Sequence, residues 1–414
     1  MLNKSQPVKL LQLSAMGLLD KILPKELSDA TRSDVGKTTI QLIDTIYDFI
    51  NWFAYFVGIE VRRDWKFNVR SKVNMILNIF FAWTEIYTFW LVVPSIDCVI
   101  LLTGLCFTVT VMIKFASVVL NHERFLSLVN VIYKMASKNT EGRRHLIIAD
   151  AKKTIFHHFK HIIIGVYFGG VVYLFYPIYD YVVNRTLTPV SPLIFPFLDD
   201  DTIRSFLIST MLNVTAALVN SFGTVAVSMF FVTFVEAYGT LNTLIEDDFR
   251  TFDGMWKRGN KNIAERRAAF RNIITAIMHS ARFNLSINEL YSLITTVQIG
   301  CCFFTMSTLI FGYLALDYVG GLGACVYFLT ELMLFCYIGQ LMDNQAERIA
   351  SIIFHSDWYV YDVSCQKDIL FALCVVKKLK SINVAGIMPL NFATGVQVIK
   401  NIYSITMFLL NALE

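Results

Sequence analysis

The stretch "GIMPLNFATGVQVIKNIYSITMFLLNALE", Gly386 to Glu414, decides how this chain is read. It is long enough to cross a bilayer, which takes about 20 apolar residues. Yet it carries Asn391, Thr394, Gln397, Lys400, Asn401, Ser404, Thr406 and Asn411. Along it, Thr394, Gln397, Lys400/Asn401, Ser404, Met407/Phe408 and Asn411 follow one another at helical steps of three and four. Val396, Val398, Ile399, Ile402, Ile405 and Leu409 make up an apolar remainder. A polar stripe on a membrane-spanning helix must face protein or water rather than lipid. Two readings stay open at this point. The helix packs inside a monomer through polar contacts, or several copies gather round an axis and line a pore.

Working outward, the 414 residues are 55% hydrophobic, 14% aromatic and only 16% charged. A soluble domain carries about 25% charged residues. This chain cannot cover so much apolar surface with polar residues, so lipid is its natural solvent. None of the eight cysteines forms a CxxC pair, and most lie in apolar stretches. They read as free core thiols rather than a disulfide framework or zinc site. The start, MLNKSQPVKLLQLSAMGLLDKILPKELSD, has no apolar h-region with a small-residue cleavage site. No cleaved signal peptide is expected, and the segment suits a short helix on the membrane surface.

Seven spans are expected, at 73–95, 98–120, 161–183, 205–235, 287–316, 321–342 and 388–413. The fourth and fifth are overlong and should continue as helix into water. The stretch 41–60 is an eighth candidate. Asp44 and Asp48 interrupt it, and its aromatics suit an interfacial helix.

Thirty-four of the 36 Lys and Arg residues fall on one set of flanks, and only Arg185 and Arg204 on the other. The positive-inside rule then puts the N-terminus in the cytosol and the C-terminus outside. Asn184-Arg185-Thr186 is a glycosylation sequon in the loop 184–203, which this orientation places outside. Three prolines in that loop, Pro189, Pro192 and Pro196, suit an ordered lid rather than a helix. The outer face also gathers Asp97, Asp180, Asp199, Asp200, Asp201, Asp317 and Glu414, an acidic mouth of the kind that concentrates cations.

No HExxH, strand-borne GxSxG or P-loop is present, so no catalytic residue, metal or cofactor is expected. His157, His158 and His161 read as a solvated cluster at the inner end of a span. Glu85 and Glu331 are acids inside apolar spans, expensive in lipid and suggestive of function or of a structural hydrogen bond. Gly169 and Gly170 either admit close helix packing or leave room for a ligand.

Two blocks resemble the insect odorant receptor family. One is "FCYIGQLMDNQAERIASIIFHSDWYV", Phe335 to Val360, with Cys336, Gly339, Trp358 and Tyr359 at the family's positions. The other runs from Asp368 to Leu410, with Ala385, Gly386, Leu390, Phe392, Val398, Ile399, Lys400, Tyr403 and Ser404. The resemblance implies an all-α polytopic membrane protein of seven transmembrane helices. It implies an odorant-gated, non-selective cation channel in the plasma membrane of olfactory neurons. The partners it implies are a co-receptor in a heterotetramer, a small volatile ligand and the lipid bilayer, with no nucleic acid. The short inner loop 236–285 is similar to that of a tuning subunit, since the co-receptor has a long insertion there. The sister gustatory family ends differently from "YSITMFLLN". A gustatory-type channel and a metabotropic receptor are the alternatives, and the second would need an extracellular N-terminus.

Carried over by the resemblance, residues 1–72 form a cytosolic segment and 73–316 hold the first five spans with the ligand pocket. Residues 321–384 form the sixth span and an anchor, and 385–414 the pore helix. Matching Val398-Ile399-Lys400 places the gate near Phe408 and Ala412, with Ser404 and Asn411 as polar neighbours and Met407 as the alternative register. The pocket, in the outer halves of spans two to six, is expected from Cys106, Phe107, Gly170, Tyr173, Met211, Thr215, Phe304, Thr305 and Thr308. Its apolar walls and sparse hydroxyls would suit a small volatile.

Overall fold

The computed structural model describes residues 36–412, apart from 60, 62–67, 94–97, 185–192, 197, 199–202, 259–262, 317, 319 and 380. The expected N-terminal surface helix lies outside the described residues, as do Asp97, Asp199, Asp200, Asp201, Asp317 and Glu414 of the expected acidic mouth. Ten α-helices are described: α1 (Thr39–Val57), α2 (Val69–Val92), α3 (Cys98–Leu120), α4 (His122–Lys138), α5 (Gly142–Asn184), α6 (Ile203–Lys257), α7 (Ile263–Leu316), α8 (Gly320–Phe354), α9 (Val363–Val376) and α10 (Phe392–Asn411). A 3₁₀ turn, Trp358–Val360, precedes α9, and a small hairpin of β1 (Asn383–Val384) and β2 (Met388–Pro389) precedes α10.

Helix α2 shows which solvent the fold is built for. Its buried residues are Ser71, Asn74, Asn78, Phe81, Thr84, Glu85 and Thr88, nearly all polar. Its exposed residues include Ile76, Ile79, Trp83, Ile86 and Trp90, which recur at steps of three and four down one face. A water-soluble helix sorts its residues the other way. Polar groups turned inward and large apolar ones turned outward are what hydrocarbon requires. By length and composition, α2, α3, α6, α7 and α8 are each able to cross a membrane. Among the other expected spans, α10 is diluted by its polar stripe, and α5 has its side chains at 172–180 outside the described residues.

The overlong spans do continue as helix: α6 runs for 55 residues and α7 for 54. Their extensions build a second core, separate from that of the bundle. Ile245, Phe249 and Phe252 of α6, Phe270, Ile273 and Ile277 of α7, and Ile349 and Ile353 of α8 meet Tyr361 and the apolar side of α9. Tyr361 donates a hydrogen bond to Asp253, and Lys257 pairs with Asp357 at 2.8 Å. Burial holds the Asp253 carboxyl above its ordinary range. Burial and the facing carboxylate likewise raise the Tyr361 phenol. This helical cluster includes residues of the segment 321–384.

Helix α1 is capped by Thr38 and Gln41 in a reciprocal capping box and is ended by left-handed Gly58. It buries Ile43, Ile46, Tyr47, Phe49, Ile50 and Phe53 in the main core while Trp52, Tyr55 and Phe56 stay exposed. Aromatic rings lie on both sides of this helix, and the exposed Trp52, Tyr55 and Phe56 suit an interfacial position. The described part of the expected lid, around Leu193–Phe195, is tied down. The Ile194 amide donates to Thr88 Oγ1 at 3.0 Å, and Phe195 is buried against Phe81. Pro189 and Pro192 lie outside the described residues.

Candidate functional site

One cavity of about 230 Å³ lies among α2, α3, α5, α6, α7 and α8. It sits toward the bundle end opposite the second core. Its walls are mostly apolar: Phe81, Phe107, Val166, Leu309, Tyr327 and Phe328 contribute, with Leu193 of the tied loop closing one side. The polar groups on it are few. Glu85 of α2 is buried and accepts a hydrogen bond from Thr108 Oγ1 at 2.9 Å, while its second oxygen is unpartnered. Asn213 Nδ2 and Asn220 Oδ1 of α6 also line the cavity, buried and unpartnered.

The two adjacent glycines of α5 turn out to serve different ends. A Cβ on Gly169 would meet Tyr327 Cα at 2.7 Å, so its bareness permits helix packing. A Cβ on Gly170 would meet nothing within 4 Å, and Gly170 lines the cavity.

Of the expected pocket residues, Phe107 and Gly170 line the cavity. Tyr173 lies on α5, and its side chain is outside the described residues. Cys106 lies next to Phe107 on α3, half-buried and outside the cavity lining. Met211 and Thr215 are exposed on the outer side of α6, where Thr215 Oγ1 donates to the Met211 carbonyl. Phe304 is 54% exposed on α7. Thr308 returns its hydroxyl to the Phe304 and Thr305 carbonyls of its own helix, and Thr305 is buried away from the cavity lining. A hydroxyl in an apolar helix can satisfy itself on the preceding turn, so Thr is a poor marker of an inward face. Asn cannot do so as readily, and Asn213, Ala216 and Asn220, spaced by three and four, mark the inward face of α6.

The other acid inside the bundle is differently placed. Lys114 Nζ of α3 meets Glu331 Oε2 of α8 at 2.8 Å, with both side chains almost fully buried. Lys114 also lies 5.0 Å from the Phe335 ring centroid. This pair joins two helices that both wall the cavity. The three histidines lie on α5, with His157 and His161 exposed and His158 mostly buried. His157 and His161 approach at 3.1 Å, and His158 meets Glu236 at 3.1 Å. Among the described residues, no three His, Cys, Asp or Glu gather as a metal site.

Helix α10 packs on α7 and α8 through Thr394, Gly395, Val398, Ile402 and Thr406, all buried. At 3.6 residues per turn these fall on one side of the helix. Gln397, Lys400, Asn401, Ser404 and Asn411 are exposed on the opposite side. Met407 and Phe408 straddle that polar line, both exposed, and Ala412 follows its last turn. Thr394 departs from the stripe. It is buried, and its hydroxyl donates to the Pro389 carbonyl at 2.6 Å.

The entry to α10 is fastened at several points. Asn391 caps it by accepting from the Thr394 amide. A Cβ on Gly339 of α8 would lie 2.1 Å from Leu390 O, and one on Gly395 would lie 2.9 Å from Cys336 Sγ. Gly339 lets α8 touch the backbone of Leu390 just after the hairpin, and Gly395 lets the first turn of α10 sit against the Cys336 side chain of α8. Ala385 and Gly386 both take left-handed φ, 54° and 72°, to make the hairpin turn. On α7, Asn288, Ser292 and Thr296, four residues apart, reach the hairpin in sequence. Asn288 Nδ2 donates to Ser381 O at 3.1 Å, Ser292 Oγ to Asn383 O at 3.4 Å, and the Ala385 amide donates to Thr296 Oγ1 at 2.8 Å.

The sequence model of the family described as 7tm Odorant receptor matches residues 97–403. The fold is similar to a solved structure of the insect olfactory receptor OR5 from Machilis hrabei, with a TM-score of 0.73 at 13% identity, over 90% of this chain and 98% of that one. A second structure of that receptor, in complex with eugenol, matches with the same TM-score of 0.73, identity of 13% and coverage.

Proposed function

The chain belongs to the odorant receptor family, and from that premise we propose that it is the tuning subunit of an odorant-gated cation channel. It assembles with a co-receptor into a heterotetramer in the plasma membrane of olfactory neurons, N-terminus in the cytosol. The observation that carries this reading is the face of α10. The side opposite its packing surface is polar and exposed in the single chain, from Gln397 to Asn411. Gln397 donates to Asn401 Oδ1 at 3.0 Å, but lipid would leave the Asn411 amide and the Lys400 ammonium without partners. Four such helices around an axis give them water and ions instead.

The cavity is the odorant site. The helices that wall it, α7 through Leu309 and α8 through Tyr327 and Phe328, are the ones that hold the entry of α10. A ligand that fits better when α7 and α8 are displaced stabilises the arrangement in which the α10 ends separate. A ligand with equal affinity for both arrangements shifts nothing. The eugenol complex of the Machilis receptor is in keeping with a small volatile as the ligand class. The second core holds the subunits together as an anchor while the outer ends move.

Two experiments test this. Co-expressed with a co-receptor, the chain should give an odorant-evoked cation current, and none in its absence from the membrane. Tags on intact cells should be accessible at the C-terminus alone. An accessible N-terminal tag supports a metabotropic receptor instead.

A further inference from the structure

Among the described residues two acids are buried inside the bundle, and they are treated differently. Glu331 is neutralised within the protein by Lys114 at 2.8 Å. Glu85 has no such partner. Among the described residues no Lys, Arg or His pairs with it, and Thr108 is its hydrogen-bond donor. Glu85 is 6% exposed, lines the cavity, and has one carboxylate oxygen with no partner. Gly104 on the facing helix leaves its place open, since a Cβ there would stand 3.1 Å from Glu85 Oε1. A carboxylate taken out of water needs a counter-charge and hydrogen-bond donors. This one has a single neutral donor.

We propose that the cavity binds a volatile amine, with the ammonium group seated against Glu85. The inference rests on the reading of the cavity as the odorant site and adds the chemical class. An ammonium supplies both the charge and the donors that the carboxylate lacks. The rest of the wall suits the same ligand. Phe107, Tyr327 and Phe81 offer rings, whose faces attract a cation that is stripped of water. An alcohol would offer one neutral donor and leave the charge uncompensated. An ester or ether would offer the free oxygen no donor at all.

The test is a matched set of ligands on the full chain with its co-receptor: hexylamine, hexan-1-ol and hexyl acetate. The native receptor should respond to the amine at the lowest concentration. Glu85→Gln keeps the shape and removes the charge. A hydrogen bond to a charged group contributes about 1.5–3 kcal/mol, so the half-maximal amine concentration should rise about 10- to 100-fold. The alcohol should lose far less potency than the amine, because the Gln carbonyl still accepts from its hydroxyl. Glu85→Asp, which keeps a carboxylate, should retain the amine preference. Surface labelling and the melting temperature of the solubilised protein confirm that each variant is folded. If Glu85→Gln does not reach the surface, the native ranking of the three ligands decides. A native receptor that prefers hexan-1-ol or hexyl acetate, or a Gln variant that loses all responses equally, overturns the amine. Surface-expressed receptor with no current to any ligand overturns the channel reading and the amine with it.

Discussion

Gly339→Ala is the substitution for which the structure gives the sharpest expectation. A Cβ at this position of α8 would stand 2.1 Å from Leu390 O and 2.6 Å from Leu390 Cγ. A carbon and a carbonyl oxygen normally stay about 3.3 Å apart. The backbone around Leu390 would have to retreat by about 1.2 Å. It cannot do so locally, because the Leu390 amide is bonded to Ile382 O at 2.7 Å and Thr394 Oγ1 to Pro389 O at 2.6 Å. Overpacking of this kind costs about 1–3 kcal/mol, and losing one of those hydrogen bonds adds about 1 kcal/mol. The expected total is about 2–4 kcal/mol, with the foot of α10 displaced from α8. The assay is melting of the detergent-solubilised protein, followed by the odorant-evoked current of whatever reaches the surface. Gly300→Ala is the control. No atom lies within 4 Å of its Cβ, so it should be neutral or stabilise the helix by about 0.5–1 kcal/mol. Native stability and native current in Gly339→Ala would refute the reasoning.

Further expectations follow from other contacts. Removing either member of the buried Lys114–Glu331 pair should cost about 3–5 kcal/mol, whereas Lys114→Met with Glu331→Met should recover most of it. A double-mutant cycle on melting temperature measures this. Replacing Asn288, Ser292 and Thr296 by Ala should cost about 1 kcal/mol per hydrogen bond and lower the maximal current more than the odorant affinity. Recordings on surface-matched cells separate the two. In the second core, the Asp253 carboxyl is held above its ordinary value of 3.8 by burial, so its folded form binds the proton more tightly than its unfolded form. Its contribution is complete below 3.8 and is lost as pH rises through the raised native value. Asp253→Asn should flatten that part of the stability–pH curve, as thermal melting across pH will show.

Much of this architecture could be read from the residues alone. The span 98–120 coincides with α3, and the overlong fourth and fifth spans are α6 and α7. Apolar runs of bilayer length leave little choice of structure, because only helices satisfy their own backbone in lipid. The polar stripe of the last span also emerged as one exposed face, apart from Thr394, which serves the turn before the helix. The cavity was less legible. Of the expected pocket residues Phe107 and Gly170 line it, but Met211 and Phe304 point outward. In a bundle bathed in lipid, an apolar side chain is equally at ease inside and out, so Met and Phe carry no directional signal. Asn213, Asn220 and Glu85 do carry it, since a polar side chain must turn inward. The fastening of the hairpin to α7 joins residues about ninety positions apart, which no local pattern reveals.

The measurement that bears most directly on the account is ion permeation through channels altered at Asn411. With the co-receptor present and the odorant held at a saturating concentration, Asn411→Asp and Asn411→Lys should shift the reversal potential in opposite directions under asymmetric cation gradients. The half-maximal odorant concentration should stay at its native value. Unchanged reversal potentials in both variants, with only the odorant response altered, would contradict the assignment of this face of α10 to the pore.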